Sequence, residues 1–144
     1  MIATTTAEDA QYIADNLSDD EICVRLYGRK EASRLAFEVA TTSPLSWVVY
    51  SAMAEPVAMF GAFPDDREPF GHAWMFSTRN AAKAARSLMQ GSIFGVEISR
   101  RYWPELRIDA EPRSERQAKF LERIGFKPRT VEVRDGETWM ELVQ

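Results

Sequence analysis

The side chains able to do covalent chemistry in this 144-residue sequence are few. There is one histidine, His72, and one cysteine, Cys23. A lone cysteine can form no internal disulfide and no thiolate-rich zinc site, so no metal is expected. Any nucleophilic site that needs an imidazole must use His72, which lies inside an apolar run where a structural histidine is the ordinary reading. Carboxylates that could take a proton, Glu55, Asp65, Asp66 and Glu68, stand in predicted turns near that run, and Tyr50 and Tyr102 are alternative acids. Charge adds a second signal. Residues 79–129 hold twelve Lys or Arg against six Asp or Glu, a net +6 within a chain of net −4, so the remainder carries −10. A basic excess beside helix starts suits a small phosphate-bearing ligand, although solvated helix faces would carry the same charges.

The elements that must position these groups follow from periodicity. Residues 70–78 form a nearly unbroken apolar and aromatic run, the pattern of a strand buried on both faces. Helix formers then extend from Arg79 to Trp103, and Pro104 stops them. Leu106, Ile108 and Ala110 alternate with polar residues as a strand does, and residues 114–124 form a short helix that Gly125 can close. Two strands joined by such a crossover helix should lie parallel, with a ligand at their carboxyl ends. Upstream, Thr5-x-x-Glu8 and Ser18-x-x-Glu21 have capping-box spacing, the second starting a short helix that ends at Gly28. A third amphipathic helix spans Ala32 to Ala40. Residues 46–52 and 57–63 read as a hairpin that continues into the 70–78 strand as a meander. Residues 130–134 and 138–143 make a closing hairpin through Asp135-Gly136. Gly91 and Gly95, four apart, let the long helix lie close on the sheet. The whole, 1–144, is read as one α/β domain with a mixed sheet.

Composition excludes two classes of partner. An acidic chain is a poor match for nucleic acid. No apolar run reaches bilayer length and no basic-then-apolar leader begins the chain, so no membrane is expected and the cytoplasm is the expected compartment.

The order helices, three-stranded meander, helix, strand, short helix and hairpin resembles the GNAT N-acetyltransferase superfamily. The likeness becomes local at Ala118, Phe120-Leu121 and Ile124-Gly125-Phe126, which match the helix and Gly-Phe that precede the last hairpin in that superfamily. A narrower likeness is to GNAT-like proteins of tailed bacteriophages, including internal virion proteins of podoviruses. It rests on the Trp74 strand ending in Ser77-Thr78, Arg86-Ser87, Tyr102-Trp103-Pro104, Asp109 and residues 120–126.

The resemblance implies a GNAT-like fold that transfers an acetyl group from acetyl-CoA to an amine of a small molecule or protein. By the same resemblance, Trp74, Phe76, Thr78, Arg79, Asn80, Lys83 and Arg86 would hold the cofactor, and His72, Glu68 and Tyr102 are the candidate catalytic groups. Three departures point to the alternative, a catalytically degenerate binding or virion protein of the same fold. The superfamily's Gln/Arg-x-x-Gly-x-Gly/Ala phosphate loop is replaced by residues 77–86, which contain no glycine. Its usual acidic tyrosine falls on Leu121, and its asparagine falls on Glu115.

Overall fold

A computed structural model of the chain describes residues 1–66, 69–110, 115–134 and 137–143. The elements run β1 (Ile2–Thr4), α1 (Ala7–Asp15), α2 (Ile22–Thr42), β2 (Leu45–Tyr50), β3 (Pro56–Pro64) and β4 (Gly71–Ser77). A 3-10 turn (Ala81–Ala84) then leads into α3 (Ala85–Ser99), β5 (Leu106–Ala110), α4 (Glu115–Arg123), β6 (Lys127–Arg134) and β7 (Glu137–Val143). The strands form one seven-stranded sheet in the order β1-β2-β3-β4-β5-β7-β6. Every neighbouring pair is antiparallel except β4 and β5, the pair joined by the α3 crossover. This is the mixed α/β sheet expected from the sequence. The short edge strand β1 is an addition to that expectation, because three residues carry no readable period.

Side-chain alternation splits the core between the two faces of the sheet. Val48, Met59, Trp74 and Phe76 point to one face, where Ala10, Ile13 and Ala14 of α1 and Ala32, Ala36 and Ala40 of α2 cover them. Phe60, Met75, Ala62, Ile108 and Phe126 point to the other, under α3 and α4. Small residues let the helices approach closely. A Cβ built on Gly95 would stand 2.5 Å from Phe60 Cε2, which fulfils the expectation for the Gly91 and Gly95 pair.

Two local expectations need correction. The first helix is capped by Thr6 rather than Thr5: Thr6 Oγ1 accepts from Asp9 N at 3.1 Å, while Thr5 Oγ1 accepts from Ser46 Oγ at 2.9 Å. The pattern Thr5-x-x-Glu8 sits one residue ahead of the equivalent Thr6-x-x-Asp9, and only sheet contacts decide between them. Ser18-x-x-Glu21 is not a capping box either, because the Glu21 side chain leaves its own helix for β4. Gly28, with φ 82°, breaks α2 into the two helical pieces predicted. Gly125, at φ 104°, closes α4 as expected, with Phe126 N donating to Leu121 O at 2.9 Å. Asp135-Gly136 and Glu68 lie outside the described residues.

Candidate functional site

The parallel pair at the centre of the sheet is paired only where it begins. Gly71 and His72 of β4 match Leu106 and Arg107 of β5, and the ladder stops there. Five more residues of β4 and three of β5 follow without pairing to each other, so the two strands run on unpaired over roughly 10 Å at ~3.3 Å per residue. Gly71 N donates to Glu105 O, so by alternation the N–H and C=O groups of Ala73, Met75 and Ser77 also face β5. Beyond the ladder, Met75 presents both backbone groups to the gap.

At the mouth of the gap the connection between α1 and α2 occupies the last of these positions. Glu21 Oε1 accepts from Ser77 N at 2.8 Å and from Ser77 Oγ at 3.0 Å. Ser18 N donates to Ser77 O at 3.0 Å, and Leu17 bridges Thr78. Burial pushes the Glu21 carboxyl above its ordinary range, against the two hydrogen bonds from Ser77 that lower it. In sequence this residue has only the signal of a helix cap, so its role escapes any reading of spacing.

Beyond the mouth the chain turns into α3, and the predicted phosphate ligands divide into two groups. Arg79, Lys83 and Arg86 are exposed and make no ion pair among the described residues. Neither the 3-10 turn nor α3 has a side-chain cap, but the turn's first N–H groups are already used, Ala81 N donating to Thr78 O at 3.2 Å and Lys83 N to Asn80 O at 3.0 Å, so an anion here would be met by the side chains. Thr78 and Asn80 are engaged elsewhere. The buried Thr78 hydroxyl donates to Val57 O at 3.2 Å, and Asn80 Nδ2 donates to Glu55 Oε1 at 2.8 Å. Trp74 and Phe76 point to the α1–α2 face, where Trp74 Nε1 donates to Ser43 Oγ at 2.9 Å. They do not plug the gap.

His72 and Tyr102 stand at the opposite end of β4 from this helix start. His72 shares the α1–α2 face with Trp74, stacks on Phe63 at 5.0 Å and places Nδ1 3.7 Å from the buried Asp65 carboxylate. At that distance the contact is one of charge and not a hydrogen bond. Tyr102 is 67% exposed in the turn before β5, its ring 6.0 Å from Trp103, which packs on Gly71. Arg107, buried next to His72 in the ladder, lies 3.8 Å over the Phe70 ring with Nη2 3.9 Å from Glu105. Of the described carboxylates in the turns, Asp65 is the one brought to the histidine.

Where β4 and β5 part, α3 and α4 close over a small apolar cavity of about 30 Å³, walled by Ala73, Met75, Gly95, Ile108 and Leu121 among others. Ser92 also lines it. Its Oγ is buried and has no hydrogen-bond partner. An unmatched hydroxyl costs ~1–3 kcal/mol, and no pattern in the sequence marks it.

No family model and no curated protein matches the sequence. Solved structures do. The ribosomal-protein-S5-alanine acetyltransferase of Vibrio fischeri superposes with a TM-score of 0.69 at 14% identity, covering 99% of this chain and 91% of that one. A GNAT-family acetyltransferase from Streptococcus pneumoniae gives 0.67 at 10% identity, covering 100% and 97%. The aminoglycoside acetyltransferase AAC(6')-Ib in complex with coenzyme A gives 0.70 at 13% identity, covering 100% and 93%. These likenesses establish a GNAT-like fold, and the narrower likeness to phage virion proteins draws no support from them. No described helix is long and apolar enough to cross a membrane.

Proposed function

We propose that this chain transfers a short acyl group, acetyl in the simplest case, from a coenzyme A thioester to an amine. One observation carries the reading. An open backbone edge at Met75 leads along β4 to a helix start bearing three cations, Arg79, Lys83 and Arg86, that make no ion pair among the described residues. An extended pantetheine arm with a pyrophosphate at its end has that sequence of needs: amide partners along its length, and positive charge at the far end. The cations replace the missing glycine loop, supplying by side chain what glycines allow the backbone to supply.

The residues have separate tasks. Met75 N–H faces the gap, where it can polarise the thioester carbonyl. His72 lies on the α1–α2 face, so the proton that the amine gives up, as nitrogen bonds to the acyl carbon and the carbon–sulfur bond breaks, reaches its imidazole through water. The stack on Phe63 holds the ring, and the Asp65 carboxylate 3.7 Å from Nδ1 attracts the imidazolium that forms. Tyr102, at the same end of β4, is the available acid for the departing thiolate, and Glu68, which precedes β4 in the sequence, is a further candidate. The −10 charge outside residues 79–129 favours a cationic amine, on a small molecule or a protein.

The rival reading is a binding protein that kept the fold and lost the reaction. It is favoured by the closure at Ser77, whose gap-facing amide is already held by Glu21. Calorimetric titration with acetyl-CoA and free coenzyme A separates the two. Micromolar binding, followed by His72-dependent release of thiol in the presence of polyamines, supports the transferase. Binding without turnover, or no binding at millimolar ligand, removes the transferase and supports the rival.

A further inference from the structure

The cavity where β4 and β5 part is apolar except for two serines, and of these Ser92, 2% exposed, has a hydroxyl without a partner. A helical serine in an apolar site ordinarily donates back to the carbonyl four residues earlier. Ser99, which also lines this cavity, does so, with Oγ 2.7 Å from Gly95 O. Ser92 does not, so its proton is free for something that enters the cavity. At about 30 Å³ the space takes one or two waters, or a tail of a few carbon atoms.

A fitting occupant is therefore small, mostly apolar and equipped with one hydrogen-bond acceptor. An acyl group has this composition. The cavity also begins beside Ala73 and Met75, directly past the last ladder pair, at the inner end of the gap. We propose that this cavity is the acyl pocket, that Ser92 Oγ donates to the acyl carbonyl oxygen, and that the pocket's size limits the substrate to acetyl and propionyl thioesters. This rests on the transferase reading above, but it concerns which acyl group is accepted and which residue recognises it. Nothing in the pairing of the strands or in the cations at the helix start requires it.

The test is calorimetry of the full chain and its Ser92→Ala variant with free coenzyme A, acetyl-CoA, propionyl-CoA and octanoyl-CoA. Wild type should bind acetyl- and propionyl-CoA several-fold tighter than coenzyme A, and octanoyl-CoA no better than coenzyme A. Ser92→Ala should abolish the acetyl preference while leaving coenzyme A affinity unchanged. A Val96→Ala variant, which enlarges one wall, should extend the preference towards butyryl-CoA. Thermal melting without ligand gives a second readout: Ser92→Ala should melt at or above the wild-type temperature, because it removes an unmatched hydroxyl. Coenzyme A binding with an unchanged acetyl preference in Ser92→Ala, or equal affinity for the octanoyl chain, would overturn the pocket and leave the transferase reading standing. Absence of all coenzyme A binding would overturn both.

Discussion

Replacing Gly95 by alanine sets two effects of known size against each other. Within a helix the exchange alone should stabilise by ~1 kcal/mol, because glycine has the larger conformational freedom to lose. Against the sheet it creates a clash. The new Cβ would lie 2.5 Å from Phe60 Cε2, 3.2 Å from Phe60 Cδ2 and 3.3 Å from Trp47 Cζ3, where carbon atoms settle at roughly 3.5–4.0 Å. Phe60 cannot swing aside freely, since it is buried and Trp47 stands 5.6 Å from it, centroid to centroid. Overpacking of this kind costs ~1–3 kcal/mol. The expected balance is a net loss of about 1 kcal/mol, or some 3–4 °C in melting temperature for a chain of this size. Urea unfolding followed by tryptophan fluorescence measures it, and a double-mutant cycle with Phe60→Leu should return a coupling of ~1 kcal/mol. If Gly95→Ala proves more stable by the full helix-propensity gain, with no coupling to Phe60, then α3 does not sit on β3 as described.

The other predictions address the gap and its surroundings. Arg79→Ala, Lys83→Ala and Arg86→Ala combined should weaken coenzyme A binding by about 10–100-fold, at ~0.5–1 kcal/mol for each exposed charge. The wild-type affinity should fall with added salt, and the triple variant should lose most of that dependence; parallel salt curves would count against phosphate binding there. Burial raises the folded pKa of Glu21, so its contribution to stability is full below its ordinary value of 4.5 and is lost as pH climbs through the folded value. An amide side chain cannot titrate, so Glu21→Gln should gain on wild type as pH rises from acid to neutral, and denaturation midpoints that move together would contradict this. Thr6→Ala removes the cap on Asp9 N and should cost ~1 kcal/mol in chemical unfolding. Trp74→Phe loses the bond to Ser43 Oγ, whose own donation to Val39 O at 2.6 Å remains. A loss of about 1 kcal/mol is expected, and an unchanged midpoint would mean the bond contributes nothing.

The elements and their order are written locally in the chain. The unbroken apolar run around Trp74, period 2 around Ile108, period 3.6 in the helices, and the stops at Pro104, Gly28 and Gly125 are signals set by sterics and burial within a few residues. The parallel pairing of β4 with β5 is legible too, since a crossover helix of that length allows little else. Which groups meet is a matter for the folded molecule. The capping phase goes to Thr6 rather than Thr5 because Ser46, forty-one residues away, takes the Thr5 hydroxyl. Glu21 reads as a cap until β4 offers it the Ser77 amide, fifty-six residues distant. Thr78 and Asn80 read as phosphate ligands until Val57 and Glu55 claim them. Ser92 carries no signal at all until the sheet and two helices close a cavity around it. Local periodicity fixes a residue's face and element, whereas hydrogen-bond partners far along the chain depend on how strands splay and helices cross. No pattern confined to a dozen residues contains that information.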